Sequence, residues 1–317
     1  MIDRLLFLFA GLIAIYFGGR WFVEGASKVA IGLGVKPFIV GLTVVAFGTS
    51  APEFFMGLIA GVEGATTVSL GNVIGSNIAN ATYILGVCAI ITPILTRFEA
   101  IRKEGILVLL AVGLTFLLAL DGSLGAVDGI VMLAAFLVYM VAMVRSYLKM
   151  RPGPAVAAEF KELGKPARGV AWSVGVLALG AVMLLVGAQV SINSAIDLAR
   201  SFGISEFIIG FSLITLGTTL PELTVSAIAA LRKEADIAIG NSLGSILFNS
   251  LAVLSTGAIL QGIVVSPAVL VTGFLPSMLF AGLLLYLVFR NGGLTKANGA
   301  LLILVYAFYF VATVLVT

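Results

Sequence analysis

The stretch Ala46-Phe47-Gly48-Thr49-Ser50-Ala51-Pro52-Glu53 recurs 169 positions later as Thr215-Leu216-Gly217-Thr218-Thr219-Leu220-Pro221-Glu222. Glycine, threonine, a second hydroxyl residue, proline and glutamate occupy the same places in both copies. The correspondence continues without a gap from about Gly18 to Asn80 of the first copy. A repeat of this length indicates that the chain consists of two related halves.

A second paired motif follows each of these stretches. It reads Gly-Asn-x-x-Gly-Ser-x-x-x-Asn at residues 71–80 and 240–249. Its serine and final asparagine lie four positions apart, which places both side chains on one helix face. These residues are Ser76 and Asn80 in the first half and Ser245 and Asn249 in the second. The Gly-x-x-x-Gly element is typical of close helix packing and would seat that polar face against neighbouring helices.

Both motifs lie within apolar stretches long enough to cross a bilayer. Of the 317 residues, 61% are hydrophobic and 10% are charged, and the mean hydropathy is +1.19. A helix needs about 20 apolar residues to span a membrane. We therefore predict an all-α integral membrane protein with ten transmembrane helices, at residues 4–26, 37–60, 66–94, 104–121, 124–148, 169–196, 205–230, 236–260, 265–290 and 296–316.

Basic residues are distributed unevenly when the loops are assigned alternately to the two sides. Arg4 and Arg200 fall on one side and Arg20 stays unassigned, whereas the other 15 of the 18 Lys and Arg residues fall on the opposite side. Because cytoplasmic loops carry the excess of positive charge, we expect a cell-membrane protein with both termini extracellular. The net charge of +3 follows from this basic side and requires no nucleic acid.

The spans divide the chain into residues 1–148, a mixed-charge cytoplasmic linker at 149–168, and residues 169–317. Each half contains five spans, an odd number, so the second half enters the membrane from the opposite side and the repeats are inverted. Such repeats are typical of secondary transporters with a substrate site near the bilayer midplane. The first span belongs to the repeat, so we interpret it as a transmembrane helix and not as a cleaved signal peptide.

The Gly-Thr-x-x-Pro-Glu motif predicts a broken helix that carries a carboxylate. Proline removes an amide donor, and glycine lowers helix stability beside it, which frees carbonyls near Gly48 and Gly217 to face a cavity. An ionised carboxylate inside the membrane is costly and usually marks an ion or substrate pathway. Glu53 and Glu222 are therefore candidate ion ligands. A kinked helix with a protonated packing glutamate is the alternative, which the duplication disfavours.

The available ligands are hard oxygen donors. The chain contains no histidine and one cysteine, Cys88, so a histidine or multi-cysteine metal cluster is excluded. Carboxylate, hydroxyl, amide and carbonyl oxygens suit Ca²⁺ and Na⁺, and two carboxylates balance one Ca²⁺. We find no nucleophile-base pair or phosphate-binding loop, so we do not expect an enzyme, and we expect no cofactor.

At these motifs the sequence resembles the calcium:cation antiporter superfamily, specifically its sodium/calcium exchanger branch of prokaryotic or archaeal type. The resemblance covers essentially the whole chain, and two different patterns each occur twice in order. It implies ten helices, an ion site at the centre of the bundle, and alternating access in which the first and sixth helices slide across the other eight. It also implies exchange of Na⁺ for Ca²⁺ by a protein that we expect to function as a monomer in the lipid bilayer.

The resemblance assigns a role to each candidate residue. Glu53 and Glu222 would be the main calcium ligands, joined by the carbonyls of Thr49 and Thr218. Sodium sites on either side would be formed by the hydroxyls of Ser50, Thr219, Ser76 and Ser245 and by the carbonyls of Ala46 and Thr215. Asn80 and Asn249 would line the centre. Potassium-dependent and some prokaryotic relatives carry aspartate at the position of Asn249, and the neutral amide argues against a potassium requirement.

Two other functions remain open at this stage. A proton/calcium antiporter of the same superfamily would use the two glutamates as proton carriers, since burial can raise the pKa of a carboxyl group. A cation channel would use them as a selectivity ring. The absence of histidine and the abundance of hydroxyl ligands disfavour the first, and the inverted halves disfavour the second.

Overall fold

The computed structural model describes residues 2–35, 37–63, 66–95, 98–148, 169–202 and 215–316. These residues form ten helices, of which the second and the seventh are each divided into two parts. The linker at 149–168 and the first part of the seventh predicted span lie outside the described residues. In chain order the helices are α1 (Ile2–Leu33), α2a (Pro37–Thr49), α2b (Ala51–Glu63), α3 (Thr66–Ala79, Asn80–Ile84 and Leu85–Ile91), α4 (Phe98–Leu118 and Ala119–Asp121), α5 (Ala126–Leu148), α6 (Gly169–Ser201), α7a (Thr215–Thr218), α7b (Leu220–Leu231), α8 (Ala235–Gln261), α9 (Pro267–Asn291) and α10 (Lys296–Val316).

The outer surface of the bundle is apolar. Eight described helices are long and apolar enough to cross a membrane, and a ninth span results if α2a and α2b, which meet at 45°, are counted together. Large apolar side chains such as Phe7 on α1 and Phe308 on α10 are exposed. An apolar surface of this extent requires hydrocarbon as its solvent. Polar groups, in contrast, concentrate in the interior.

Helices α1 and α6 form a long antiparallel pair, and glycine residues allow their backbones to approach closely. Arg4 at the start of α1 donates to the carbonyl of Asp197 near the end of α6, at 3.0 Å. A Cβ added at Gly18 would lie 2.5 Å from the amide nitrogen of Leu184, and one at Gly25 would lie 2.6 Å from that of Leu177. The two backbones are therefore in direct contact. Both helices extend beyond the predicted spans, α1 to Leu33 and α6 to Ser201.

A second close contact joins α2a to α8. A Cβ added at Gly41 would lie 2.8 Å from the carbonyl oxygen of Ile237, and one at Gly240 would lie 3.0 Å from the amide nitrogen of Leu42. A Cβ at Gly244 would clash with the carbonyl of Leu42. The Gly-x-x-x-Gly element of the second half thus packs closely, as predicted. For Gly71, the equivalent of Gly240, the repeat places the partner segment outside the described residues.

Two short antiparallel strand pairs, which the sequence analysis did not predict, join the halves at their loops. Strand β1 (Ile94–Leu95) pairs with β4 (Gly293–Leu294), and β2 (Ser123–Leu124) pairs with β3 (Ile263–Val264). β1 and β3 occupy equivalent positions in the repeat. Each pair therefore ties a loop of one half to a loop of the other, which fixes the two halves around a common centre.

Candidate functional site

The helix of each Gly-Thr-x-x-Pro-Glu motif is interrupted next to its glutamate. Ser50 has φ −84° and ψ 11°, and Thr219 has φ −88° and ψ 0°, so neither continues a regular helix. Pro52 has no amide hydrogen to donate to the carbonyl of Gly48, four residues earlier, and Pro221 repeats this arrangement. The predicted broken helices are therefore present in both halves, and each places a glutamate in the first turn of the following helix.

The two glutamate side chains are completely buried at the centre of the bundle. Ser50 Oγ lies 2.9 Å from Glu222 Oε1 and donates to it across the interface between the halves. Ser76 Oγ lies 3.5 Å from Glu53 Oε1, a long hydrogen bond. Within the described part of the chain, no lysine or arginine forms an ion pair with either carboxylate. Their negative charge is therefore available to a cation.

Among the buried oxygen atoms that lack a hydrogen-bond partner in the described part of the chain, four belong to predicted site residues. They are Oε2 of Glu53, Oε2 of Glu222, Oδ1 of Asn80 and Oδ1 of Asn249. Two come from each half, and they occupy equivalent positions in the repeat. Buried polar atoms are almost always satisfied, so unpaired carboxylate and amide oxygens at equivalent positions of both halves favour a cation as their partner.

Hydroxyl and amide groups connect these ligands across the interface. Ser50 Oγ also lies 2.9 Å from Ser245 Oγ. The amide of Asn249 donates to Ser76 Oγ at 3.1 Å, and the amide of Asn80 donates to the carbonyl of Ser76 at 3.0 Å. The amide nitrogens are thus bound to protein, whereas the amide oxygens have no partner among the described residues.

Both asparagines begin a π-helical turn, Asn80–Ile84 in α3 and Asn249–Val253 in α8. Such turns are frequent at functional sites because they displace the backbone from regular α-helical geometry. Their recurrence at equivalent positions means that each half presents its asparagine in the same way.

The structure places the predicted site residues in the interior. Eleven of them are buried, and they are Ala46, Thr49, Ser50, Glu53, Ser76, Asn80, Thr218, Thr219, Glu222, Ser245 and Asn249. Thr215 begins α7a, and its side chain lies outside the described residues. Thr219 differs from its equivalent Ser50, because its hydroxyl lies 2.9 Å from Tyr83 Oη.

Three further polar residues contact the site and were missed in the sequence analysis. Tyr83 has no counterpart in the repeat, where Ala252 occupies the equivalent position, so duplication could not reveal it. Asn72 accepts from Thr218 Oγ1 and Asn241 accepts from Thr49 Oγ1, each at 3.0 Å. Asparagine occupies this position in both halves, which was a usable signal. The four-residue spacing, however, favoured Ser76 and Asn80 as the candidates.

Comparison with known proteins identifies relatives along the whole chain. Residues 4–145 and 172–315 match a family model described as sodium/calcium exchanger protein. The chain is 34% identical over 314 residues to a putative antiporter, CaxA, of Alkalimonas amylolytica, covering 98% of both chains. It is 28% identical to the sodium/calcium exchanger MaX1 of Methanosarcina acetivorans, covering 96% of this chain and 97% of the other.

A solved structure has the same fold. The sodium/calcium exchanger from Methanococcus jannaschii is 31% identical, with a TM-score of 0.84 and coverage of 98% of both chains. A structure of this exchanger soaked with 10 mM Na⁺ and no Ca²⁺ also has a TM-score of 0.84. These matches confirm the predicted all-α membrane fold of ten helices in two inverted repeats.

Proposed function

The chain belongs to the sodium/calcium exchanger family, and from this membership we propose that it is a secondary antiporter that exchanges Na⁺ for Ca²⁺ by alternating access. The observation that carries the proposal is the set of four orphaned oxygens on Glu53, Glu222, Asn80 and Asn249. They offer two negative charges and neutral oxygen ligands in a site without a basic partner among the described residues. A Ca²⁺ ion or two Na⁺ ions would balance that charge.

Competition for the same carboxylates provides the coupling. Calcium takes six to eight oxygen ligands at about 2.3–2.6 Å, which requires both glutamates at once. Sodium ions bound on either side would use the same two carboxylates together with hydroxyl and carbonyl oxygens. Occupancy by calcium and by sodium is then mutually exclusive, and each ion leaves only when the other replaces it.

The candidate residues divide between the two ions. We assign Glu53 and Glu222 with the carbonyls of Thr49 and Thr218 to calcium, and Asn80 and Asn249 to the centre of the site. The remaining candidates are assigned to sodium, namely the hydroxyls of Ser50, Thr219, Ser76 and Ser245 and the carbonyls of Ala46 and Thr215. The hydrogen bonds from Ser50 to Glu222 and from Asn249 to Ser76 support this grouping.

We further propose the organisation of the transporter in the cell. It would lie in the cell membrane with both termini extracellular, as a monomer with five-helix halves at 1–148 and 169–317 and a cytoplasmic linker at 149–168. Its partners would be the two ions and the bilayer, with no nucleic acid or cofactor and no enzymatic activity. The excess of basic residues in the loops assigned to one side of the membrane supports this orientation.

Calcium uptake into proteoliposomes tests the proposal. Vesicles loaded with Na⁺ and diluted into Na⁺-free medium should accumulate ⁴⁵Ca²⁺, and a protonophore should not prevent it. Uptake that ignores the sodium gradient and follows an imposed pH gradient would instead establish a proton/calcium antiporter. Calcium flux that needs no counter-ion would establish a channel.

A further inference from the structure

The carbonyl of Ala46, a proposed sodium ligand, has one lone pair already engaged. The amide of Ser50 donates to it at 2.9 Å. A carbonyl oxygen has two lone pairs, so one acceptor position remains. Thr49 Oγ1 lies 3.3 Å from the same oxygen and is able to occupy that position. A bound cation and the Thr49 hydroxyl therefore compete for one site on Ala46.

Asn241, in the opposite half, offers the Thr49 hydroxyl an alternative acceptor. Its Oδ1 lies 3.0 Å from Thr49 Oγ1, closer than the Ala46 carbonyl, and a hydroxyl has a single proton to donate. With the proton directed to Asn241, the second lone pair of Ala46 stays free. The reverse orientation of the Asn241 amide would present nitrogen to Thr49 and turn the hydroxyl proton towards Ala46.

Ser226 holds that amide from the side opposite Thr49. Asn241 Nδ2 donates to Ser226 Oγ at 3.0 Å, so the amide nitrogen faces Ser226 and the oxygen faces Thr49. All three side chains are buried. The hydrogen bonds from Asn241 to Ser226 and from Thr49 to Asn241 thus link helix α7b, helix α8 and the end of α2a.

The first half contains the same contact between asparagine and threonine but lacks the serine hydroxyl. Thr218 Oγ1 donates to Asn72 Oδ1 at 3.0 Å, but Gly57 occupies the position equivalent to Ser226. Asn72 Nδ2 accordingly has no partner and is buried. Both asparagines accept a hydrogen bond from a threonine hydroxyl. They differ in the amide nitrogen, which has a partner in Asn241 but none among the described residues in Asn72.

We propose that Asn241 is a positioning residue that accepts the Thr49 hydroxyl of the opposite half and so keeps the Ala46 carbonyl available to sodium. Asn72 accepts the Thr218 hydroxyl in the equivalent way. They act through Thr49 and Thr218 and do not themselves bind the ion. The inference rests on the proposed sodium/calcium exchange. It assigns a specificity role to the Gly-Asn pair of each repeat, because loss of the amide oxygen weakens sodium binding more than calcium binding.

Epistasis with Thr49 tests this role. Asn241→Leu should raise the Na⁺ concentration for half-maximal exchange by roughly fivefold, the effect of one hydrogen bond, with less change in that for Ca²⁺. In a Thr49→Val background the hydroxyl is absent, so adding Asn241→Leu should cause no further rise. If Asn241→Leu raises the sodium requirement equally in both backgrounds, the asparagine has only a structural role and the inference is wrong.

A milder variant and a matched control complete the experiment. Ser226→Ala keeps Asn241 but releases its amide, and it should raise the sodium requirement less, again only when Thr49 is present. This variant decides the question if Asn241→Leu fails to fold. Asn77→Leu removes a comparable buried amide, which donates to Ser250 Oγ at 2.8 Å, and its effect should be independent of Thr49. Wild-type exchange without sodium dependence would overturn the proposed function itself.

Discussion

Glu53 and Glu222 are acidic residues with no exposed surface, and each retains one carboxylate oxygen without a partner. Replacing either with glutamine removes one of the two charges that balance Ca²⁺ while keeping a similar shape. We expect Glu53→Gln and Glu222→Gln each to abolish calcium exchange, measured as sodium-driven ⁴⁵Ca²⁺ uptake. Glu24→Gln is the control, since this half-buried glutamate of α1 bonds Lys28 at 2.6 Å, away from the site. Wild-type exchange by either site variant would show that the ion binds elsewhere.

Tyr83 makes the two halves of the site unequal, because its hydroxyl contacts Thr219 and the equivalent residue is alanine. Tyr83→Phe removes one hydrogen bond worth about 1 kcal/mol. We expect the sodium concentration for half-maximal exchange to change by about fivefold in this variant, with the protein still folded. Tyr309→Phe loses a bond to the carbonyl of Thr272, remote from the site, and should leave it unchanged. An equal change in both variants would refute a role for Tyr83.

The residues that could be identified from the sequence are those that recur in both halves and whose charge is costly to place inside a membrane. Glu53 and Glu222 satisfied both criteria. Tyr83 satisfied neither, because it occurs once and a tyrosine inside a membrane span is unremarkable. Asn72 and Asn241 were duplicated, but their role depends on which threonine lies opposite, and only the packing of α3 and α8 against the broken helices specifies that.

At the scale of elements, glycine determines how closely α2a approaches α8. A Cβ at Gly244 would clash with the Leu42 carbonyl and lie 2.7 Å from the Ala46 side chain. We expect Gly244→Ala to destabilise the folded protein by about 1–3 kcal/mol through overpacking. Gly282→Ala is the matched control, because no atom lies within 4 Å of a Cβ there. A lower melting temperature in detergent for Gly244→Ala than for Gly282→Ala would meet the expectation, and equal values would contradict it.

The number of helices was predictable, but their ends and connections were not. Apolar length reveals a span, and proline with glycine reveals its break. The strands β1 to β4 have two residues each, too few to show alternation, and their partners lie in the other half of the chain. The extension of α1 to Leu33 and of α6 to Ser201 likewise depends on contact between the two helices.

At the scale of the whole molecule, α1 and α6 form a unit distinct from the ion site. Their backbones touch at Gly18 and Gly25, whereas α1 meets the remaining bundle through side chains such as those opposite Gly19 and Gly48. Backbone contact resists relative movement more than side-chain contact does. This difference accords with alternating access in which the pair slides across eight stationary helices, as the family resemblance implies.

Engineered disulfides can separate movement within the pair from movement against the bundle. In a Cys88→Ala background, cysteines at Ala14 and Gly187 would join α1 to α6, where a Cβ at Gly187 lies 2.9 Å from that of Ala14. The same Cβ would lie 2.8 Å from the backbone of Gly11 and Ile15, so exchange by the reduced double-cysteine variant is the reference for the effect of oxidation. Cysteines at Gly19 and Thr224 would join α1 to α7b, where a Cβ at Gly19 lies 2.9 Å from Thr224 Cγ2. The Cβ atoms of the first pair must separate by about 1 Å to reach disulfide geometry.

Oxidation should have opposite effects in the two variants. The α1–α6 disulfide should leave calcium exchange intact because the two helices move together, whereas the α1–α7b disulfide should stop it, and a reductant should restore it. The single-cysteine variants treated with the same oxidant control for damage by oxidation. Continued exchange by the fully cross-linked α1–α7b protein would mean that α1 does not slide against the bundle, and the halves would then have to rock about the site instead.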